Sequence, residues 1–343
     1  MKVGLIGLPF SGKTTLFRAL TGFGADAPAA DVGVVKVPDA RVAHLTEIFK
    51  PKKTTFAEIT FSDLLAASHG GKAFDAQVIA AMKAMDALVI VVDGREGEDD
   101  AARDDRARRA LDDMIVELVL SDLAIAEKRV ERLKKEKTTE ADRRVIEKAL
   151  ATLSEEKPLR GEAFDRDELR ALSGYQFLTQ KPTLVVVNTR EGDPGKAFPR
   201  TEESAGKLSM PVIPLCAALE QEISTLPPEE RGDFLKEMGL AEAAQDRLVR
   251  AVYEHLNLIS FLTVGEDEVR AWTITRGTTA QKAGGKVHSD IERGFIRAEV
   301  AAYDDFVAGG SSMAGAKKAG RLRLEGKEYV IQDGDIAHFR FNV

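Results

Sequence analysis

Gly7, Gly12, Lys13 and Thr14 stand in the order G-x-x-x-x-G-K-T within GLIGLPFSGKTTLFRALTG, residues 4–22. This spacing suits the chemistry of holding phosphate. A glycine-rich turn can point successive backbone N–H groups inward over the first turn of a helix, where an anion is stabilised. The lysine then reaches the outer phosphates, and the hydroxyl serves a Mg²⁺ that bridges them. The expected ligand cradle is therefore Gly7, Pro9, Phe10, Ser11, Gly12, Lys13, Thr14 and Thr15, with Lys13 and Thr14 acting on phosphate charge and Thr14 as the metal ligand. Context supports this reading, because an apolar run (Val3 to Ile6) precedes the loop and Leu16 and Leu20 follow at helical spacing.

A cradle of this kind needs a sheet behind it. Further short apolar runs supply one: DALVIVVDG from Asp86, TLVVVN from Thr183 and VIPLCA from Val212. Runs rich in β-branched residues without alternation read as strands buried on both faces, as in a parallel sheet covered by helices. The expected class is a doubly wound α/β nucleotide-binding domain. Between these strands, Val119, Leu123, Ala126, Val130 and Leu133 form one apolar helical seam. After the polar break KTTEAD, a second seam runs through Val145, Ile146, Ala149, Leu150 and Leu153. Together they predict an inserted antiparallel helical hairpin over about residues 112–158. From about Leu258 the pattern changes to short alternating segments, among them RAWTI, GFIRAEV and AHFRFNV, with turns at EGKE and QDGD. The expected division is a nucleotide domain over 1–257 and a smaller α+β domain over 258–343.

A chain of 343 residues is long enough for about two domains, each with its own core. Its single cysteine, Cys216, leaves no internal disulfide framework and favours a reducing compartment. No apolar run approaches the ~18 residues that cross a bilayer, so the expected location is cytoplasmic, with no membrane partner. A net charge of -7 argues against indiscriminate coating of nucleic acid, and sequence-specific DNA is not among the expected partners. Basic clusters at Lys50, Lys52 and Lys53, and from Arg129 to Lys137, read as solvated faces or as local docking points for an anionic surface.

The segments GLPFSGKTTLFRALTG, VPDARVAHLTEIFKPKKTT, ISFLTVGEDEVRAWTI, HSDIERGFIRAEV and LRLEGKEYVIQDGDIAHFRFNV together resemble the YchF or Obg-like ATPases. These are P-loop proteins of the Obg-related GTPase lineage with a C-terminal TGS domain, a β-grasp module. The resemblance implies a purine nucleotide ligand with Mg²⁺, NTP hydrolysis, and the ribosome or other translation machinery as partner. It also bears on the base. Relatives in the wider GTPase class read guanine with Asn-Lys-x-Asp, whereas the corresponding strand end here is Asn188, Thr189, Arg190, Glu191. The longer Glu191 moves the carboxylate that would pair with guanine, so ATP is the expected ligand and GTP the alternative. Asn188 and Glu191 join the expected ligand-binding set. Cys216, Ala217 and Ala218 fall at the second base-flanking loop, where Cys216 reads as a packing residue.

The chain departs from the family in the parts that position water and metal. Aligning EITFSDLLAAS on the family's Asp-x-x-Gly puts Thr60 at the Asp position and Asp63 at the Gly position. The switch threonine corresponds to Ala27 or a neighbour, and no Ser or Thr lies between Gly22 and Asp39. The loop after the third strand contains no His, and Leu64 supplies no proton acceptor. His69 is a loop histidine that could approach a terminal phosphate or simply be solvated, and Asp93 reads as a turn residue. Two functions follow: a weak Mg-dependent ATPase linked to translation, or a hydrolysis-defective adaptor that holds nucleotide for docking. A nucleotide-free adaptor is a third. Phosphate release by the parent and by Lys13→Ala separates them.

Overall fold

The computed structural model describes residues 1–22, 31–64, 74–133 and 140–342. Two compact units divide them: Met1–Val35 with Thr60–Leu248, and Lys36–Ile59 with Val249–Val343. The division is discontinuous in sequence, whereas the sequence reading cut the chain once, near residue 258.

The first unit is built on strands β1 (Lys2–Ile6), β2 (Val32–Lys36), β4 (Glu58–Asp63), β5 (Ala87–Asp93), β6 (Thr183–Asn188) and β7 (Val212–Leu215), in the spatial order β2-β4-β1-β5-β6-β7. The intervening β3 (Lys53–Thr55) belongs to the other sheet. β1 lies parallel between β4 and β5, and β5, β6 and β7 continue the sheet in parallel. β6 is buried along its whole length and β5 along nearly all of it, which explains their unbroken apolar sequences. The order reverses about β1, and the crevice beyond the carboxyl ends of the strands at such a point is where ligands enter. The helix Lys13–Thr21 leaves that edge with Leu16, Phe17, Ala19 and Leu20 buried, and ends on Gly22 in the left-handed region.

The two apolar seams form helices Asp100–Leu133 and Glu140–Ser154, and Val119, Ala126 and Leu133 pack with Val145, Ile146, Ala149 and Leu153 in one core. The first helix starts about three turns before residue 112, where the hairpin is expected to begin. Its acidic and arginine-rich start hides Ala107, Leu111 and Met114, which are buried, while Arg108 pairs with Asp105 and Asp112 on the outer face. At the hairpin's base, buried Asp122 accepts 2.8 Å bonds from the Leu178 and Thr179 amides and the Thr179 hydroxyl. Among the described residues, no helix is long and apolar enough to cross a membrane.

The second unit carries β8 (Leu258–Thr263), β9 (Glu268–Thr275), β10 (Phe295–Ala302), β11 (Arg323–Glu325) and β12 (Asp335–Phe341). With β3 they form a mixed sheet in the order β11-β10-β12-β8-β9-β3. The helix Ala280–Val287 supplies Ala280 and Ala283 to a core with Ile259, Phe261, Val300 and Phe339, the arrangement expected of a β-grasp module. The inserted segment 36–59 is held to this unit by β3 on β9 and by Arg41, which binds Asp39 and donates to Asp333 at 2.8 Å.

Candidate functional site

The loop between β1 and the helix Lys13–Thr21 is shaped by two glycines. Gly12 caps the helix at φ 92°, a left-handed conformation that disfavours any side chain. A Cβ there would stand 2.0 Å from the Asn188 amide nitrogen, and one on Gly7 would stand 2.4 Å from the Val91 carbonyl oxygen. The Leu16 amide makes the first helical bond, to the Gly12 carbonyl, so the amides of the preceding turn face outward from the helix end. They border a cavity of about 450 Å³ lined by Gly7 through Thr15, all eight expected cradle residues among them, and by Arg95. Inside the loop the Ser11 hydroxyl is buried with no hydrogen-bond partner among the described residues. A polar atom left in that condition, between two glycines where a Cβ would clash, fits a site made to receive an anion.

Lys13 and Asp63 form a buried ion pair at the rim, their residues only 7% and 6% exposed. The Thr14 hydroxyl donates to the other oxygen of Asp63 at 2.8 Å. This corrects the sequence alignment. Thr60 does not occupy the carboxylate position; it pairs with Lys2 at the start of β1, whereas Asp63 pairs with Leu5 near its end. A strand rises about 3.3 Å per residue, so Thr60 falls roughly 10 Å short of the loop that Asp63 reaches. Asp63 therefore brings its charge to Lys13 and Thr14, and does not stand where the family's glycine would. A hydroxyl and a carboxylate side by side are the oxygen donors that a small hard cation such as Mg²⁺ accepts together with phosphates. Among the described residues there is no cluster of three or more His, Cys, Asp or Glu able to hold a metal alone.

On the opposite side of β1 lie the ends of β5 and β6. Asn188 is 2% exposed and its amide is engaged at both ends: Nδ2 donates to the Ser11 carbonyl, and Oδ1 accepts from the Ala217 amide, each at 3.0 Å. It braces the loop against the start of helix Ala217–Thr225. Glu191 is exposed. Arg190 donates to the carbonyls of Arg95 and Gly97, at 2.6 and 3.2 Å. Arg103 is buried and donates to the Gly94 carbonyl and to both Asp193 oxygens, and this pairing holds the Asp193 carboxyl below the usual aspartate range. Cys216 is buried, and that burial pushes its thiol up, as befits a packing residue.

Arg95 is the residue that sequence reading missed. Its Nε donates to Asp93 at 2.8 Å and its Nη2 to the Phe10 carbonyl at 2.6 Å. Asp93 also accepts from the Arg95 amide, the turn role expected of it. The available signal was position alone: Arg95 follows the strand adjacent to β1. Phe10 holds φ 65° with its residue 93% exposed. Leu64 is half-buried and donates its amide to Leu5. Ala27 and His69 lie outside the described residues.

Comparison with known proteins places these features in a family. The family model YchF-GTPase_C, described as "Protein of unknown function (DUF933)", matches residues 258–342. The chain is 40% identical over 361 residues to the "Ribosome-binding ATPase YchF" of Pasteurella multocida (strain Pm70), covering 100% of this chain and 99% of the relative. It is 39% identical over 369 residues to the protein of the same name from Bacillus subtilis (strain 168), covering 100% of both. The solved structure of the Schizosaccharomyces pombe YchF GTPase superposes with a TM-score of 0.88 at 29% identity, over 99% of this chain and 97% of that one. The likeness spans the whole of this chain and nearly the whole of each of these relatives, and the chain belongs to the YchF family.

Proposed function

We propose that the chain binds ATP with magnesium in the Gly7–Thr15 cradle, hydrolyses it slowly to ADP and phosphate, and does so in the cytoplasm while docking on the ribosome. The carrying observation is the convergence of Lys13, Thr14 and Asp63 at the mouth of the glycine loop. The full-length relatives are named as ribosome-binding ATPases, and that supports both the proposed ligand and the proposed partner.

Phosphoryl transfer of this kind needs positioning and charge neutralisation more than covalent chemistry. The loop amides and the Lys13 ammonium hold the phosphate oxygens. Thr14 and Asp63 would hold the magnesium ion, which there would offset charge on the outer phosphates. Lys13 must exchange Asp63 for phosphate as the nucleotide enters, so the pair opens on binding. With Asp63 as the aspartate of Asp-x-x-Gly, the position after the glycine falls at Ala67, whose side chain offers no group to orient the attacking water, in keeping with slow turnover. Adenine is favoured over guanine because Glu191, one carbon longer than the guanine-reading Asp, displaces its carboxylate.

A second reading, a nucleotide-holding adaptor, draws on the lack of Ser or Thr between Gly22 and Asp39. Phosphate release from ATP and GTP by the parent and by Lys13→Ala, run with cosedimentation on ribosomes, separates the two. Release above background that Lys13→Ala abolishes is the expected result. Background release from both proteins despite measurable ATP affinity would transfer the assignment to the adaptor, and tighter GTP than ATP binding would overturn the base preference.

A further inference from the structure

We propose that Arg95 is the nucleoside-side contact of the cradle, its guanidinium lying against the purine and sugar of the bound nucleotide. This rests on the nucleotide-binding reading above and assigns an end to the site. The sheet order fixes the two ends. Asp63, on β4, meets Lys13 and Thr14 on one side of β1, and this is the metal and outer-phosphate end. Arg95 follows β5 and Arg190 follows β6, on the other side of β1. Arg95 is joined to both neighbours that matter there. Its side chain donates to the Phe10 carbonyl in the cradle, and its own carbonyl accepts from Arg190 in the Asn188–Glu191 turn. Among the described residues it is also the one outside Gly7–Thr15 that lines the 450 Å³ cavity.

The group is held in a way that leaves it usable. Asp93 fixes Nε and Phe10 takes one Nη2 hydrogen, so the guanidinium plane is set before any ligand arrives. A guanidinium carries five N–H donors, and these two bonds leave three. Its side chain keeps 40% of its exposure. A planar cation oriented in advance stacks on an aromatic base at little entropic cost and hydrogen-bonds with its remaining edge. In the Asn188-Thr189-Arg190-Glu191 turn no lysine is present to do this. Arg95, delivered from the adjacent strand, provides the cation instead.

The test compares ligands that share one end of the nucleotide. Calorimetric titrations of Mg·ATP, ADP and inorganic tripolyphosphate with Mg²⁺ are run on the parent, Arg95→Ala, Arg95→Lys and Lys13→Ala, with thermal unfolding of each. The expected result is a loss of about tenfold in both ATP and ADP affinity for Arg95→Ala. Tripolyphosphate affinity and the unfolding midpoint should stay unchanged, and Arg95→Lys should recover part of the loss. Equal weakening of tripolyphosphate would make Arg95 a brace of the loop, a loss confined to ATP would move it to the outer phosphates, and no change would remove it from the site; each overturns the proposal. Failure of the parent to bind ATP, or parent-like ATP binding by Lys13→Ala, would instead overturn the underlying nucleotide reading.

Discussion

Lys13 and Asp63 neutralise each other across the rim of the glycine loop, both buried, with the Thr14 hydroxyl bonded to the same carboxylate. The pair ties the ammonium that phosphate needs to the carboxylate that a metal needs, so ligand entry must part them. Asp63→Ala leaves a buried ammonium unpaired and should lower the stability of the ligand-free protein by about 3 kcal/mol. The same change removes the competitor for Lys13. Nucleotide affinity in EDTA should therefore rise, by up to about tenfold, while the further gain that Mg²⁺ gives the parent disappears. Urea unfolding and titrations with and without Mg²⁺ check both halves. A variant that kept the parent's Mg²⁺ gain would remove Asp63 from the metal site.

Gly12→Ala should damage the cradle at its narrowest point. The new Cβ would meet the Asn188 amide at 2.0 Å, and φ 92° is a conformation that costs an L side chain about 1–2 kcal/mol by itself. The Asn188 amide is bonded at both ends and cannot swing away freely. The expected outcome is a loss of at least about 2 kcal/mol in urea unfolding together with loss of detectable nucleotide binding. Parent-like values for both would show that the loop relaxes at this position.

Asn188→Ala tests the brace directly. It leaves the Ser11 carbonyl and the Ala217 amide without their buried partner, at about 1–3 kcal/mol for each unsatisfied group. The account predicts a stability loss of about 2–6 kcal/mol. ATP and GTP should weaken to the same extent, because the amide shapes the loop and does not face the base. Selective weakening of one nucleotide would give Asn188 a reading role.

Much of this was legible in the sequence, for reasons particular residues make plain. The G-x-x-x-x-G-K-T spacing sets the cradle because backbone geometry there depends on neighbours in the chain. The β5 and β6 runs announced themselves through unbroken burial, and the hairpin through the seams at Val119–Leu133 and Val145–Leu153. What escaped depends on pairing between distant segments. EITFSDLLAAS can be laid on Asp-x-x-Gly in two registers three residues apart, and only the pairing of Asp63 with Leu5 decides between them. KTT at 53–55 is too short to signal a strand, and its partner β9 lies more than 200 residues away. Arg95 sits in an acidic, glycine-containing loop that carries no motif at all.

The Arg103–Asp193 pair makes stability depend on acid. Hydrogen bonding and charge from Arg103 hold the Asp193 carboxyl below its ordinary value of 3.8, so the folded state binds the proton less readily than the unfolded chain. The stabilisation is complete above the unfolded value, and it is lost as pH falls through the lowered folded one. Asp193→Asn should therefore be less stable than the parent at pH 7, with the gap narrowing once the pH drops below about 4. Unfolding curves across pH 3–7 measure it; a gap that widened in acid would contradict the assignment.

The most direct measurement is a calorimetric titration of Mg·ATP into the parent and into Lys13→Ala side by side. A single saturable site on the parent, weakened at least about tenfold when the ammonium is removed, is the result that the cradle predicts. Absent binding heat in the parent, or equal affinity in the two proteins, would contradict it.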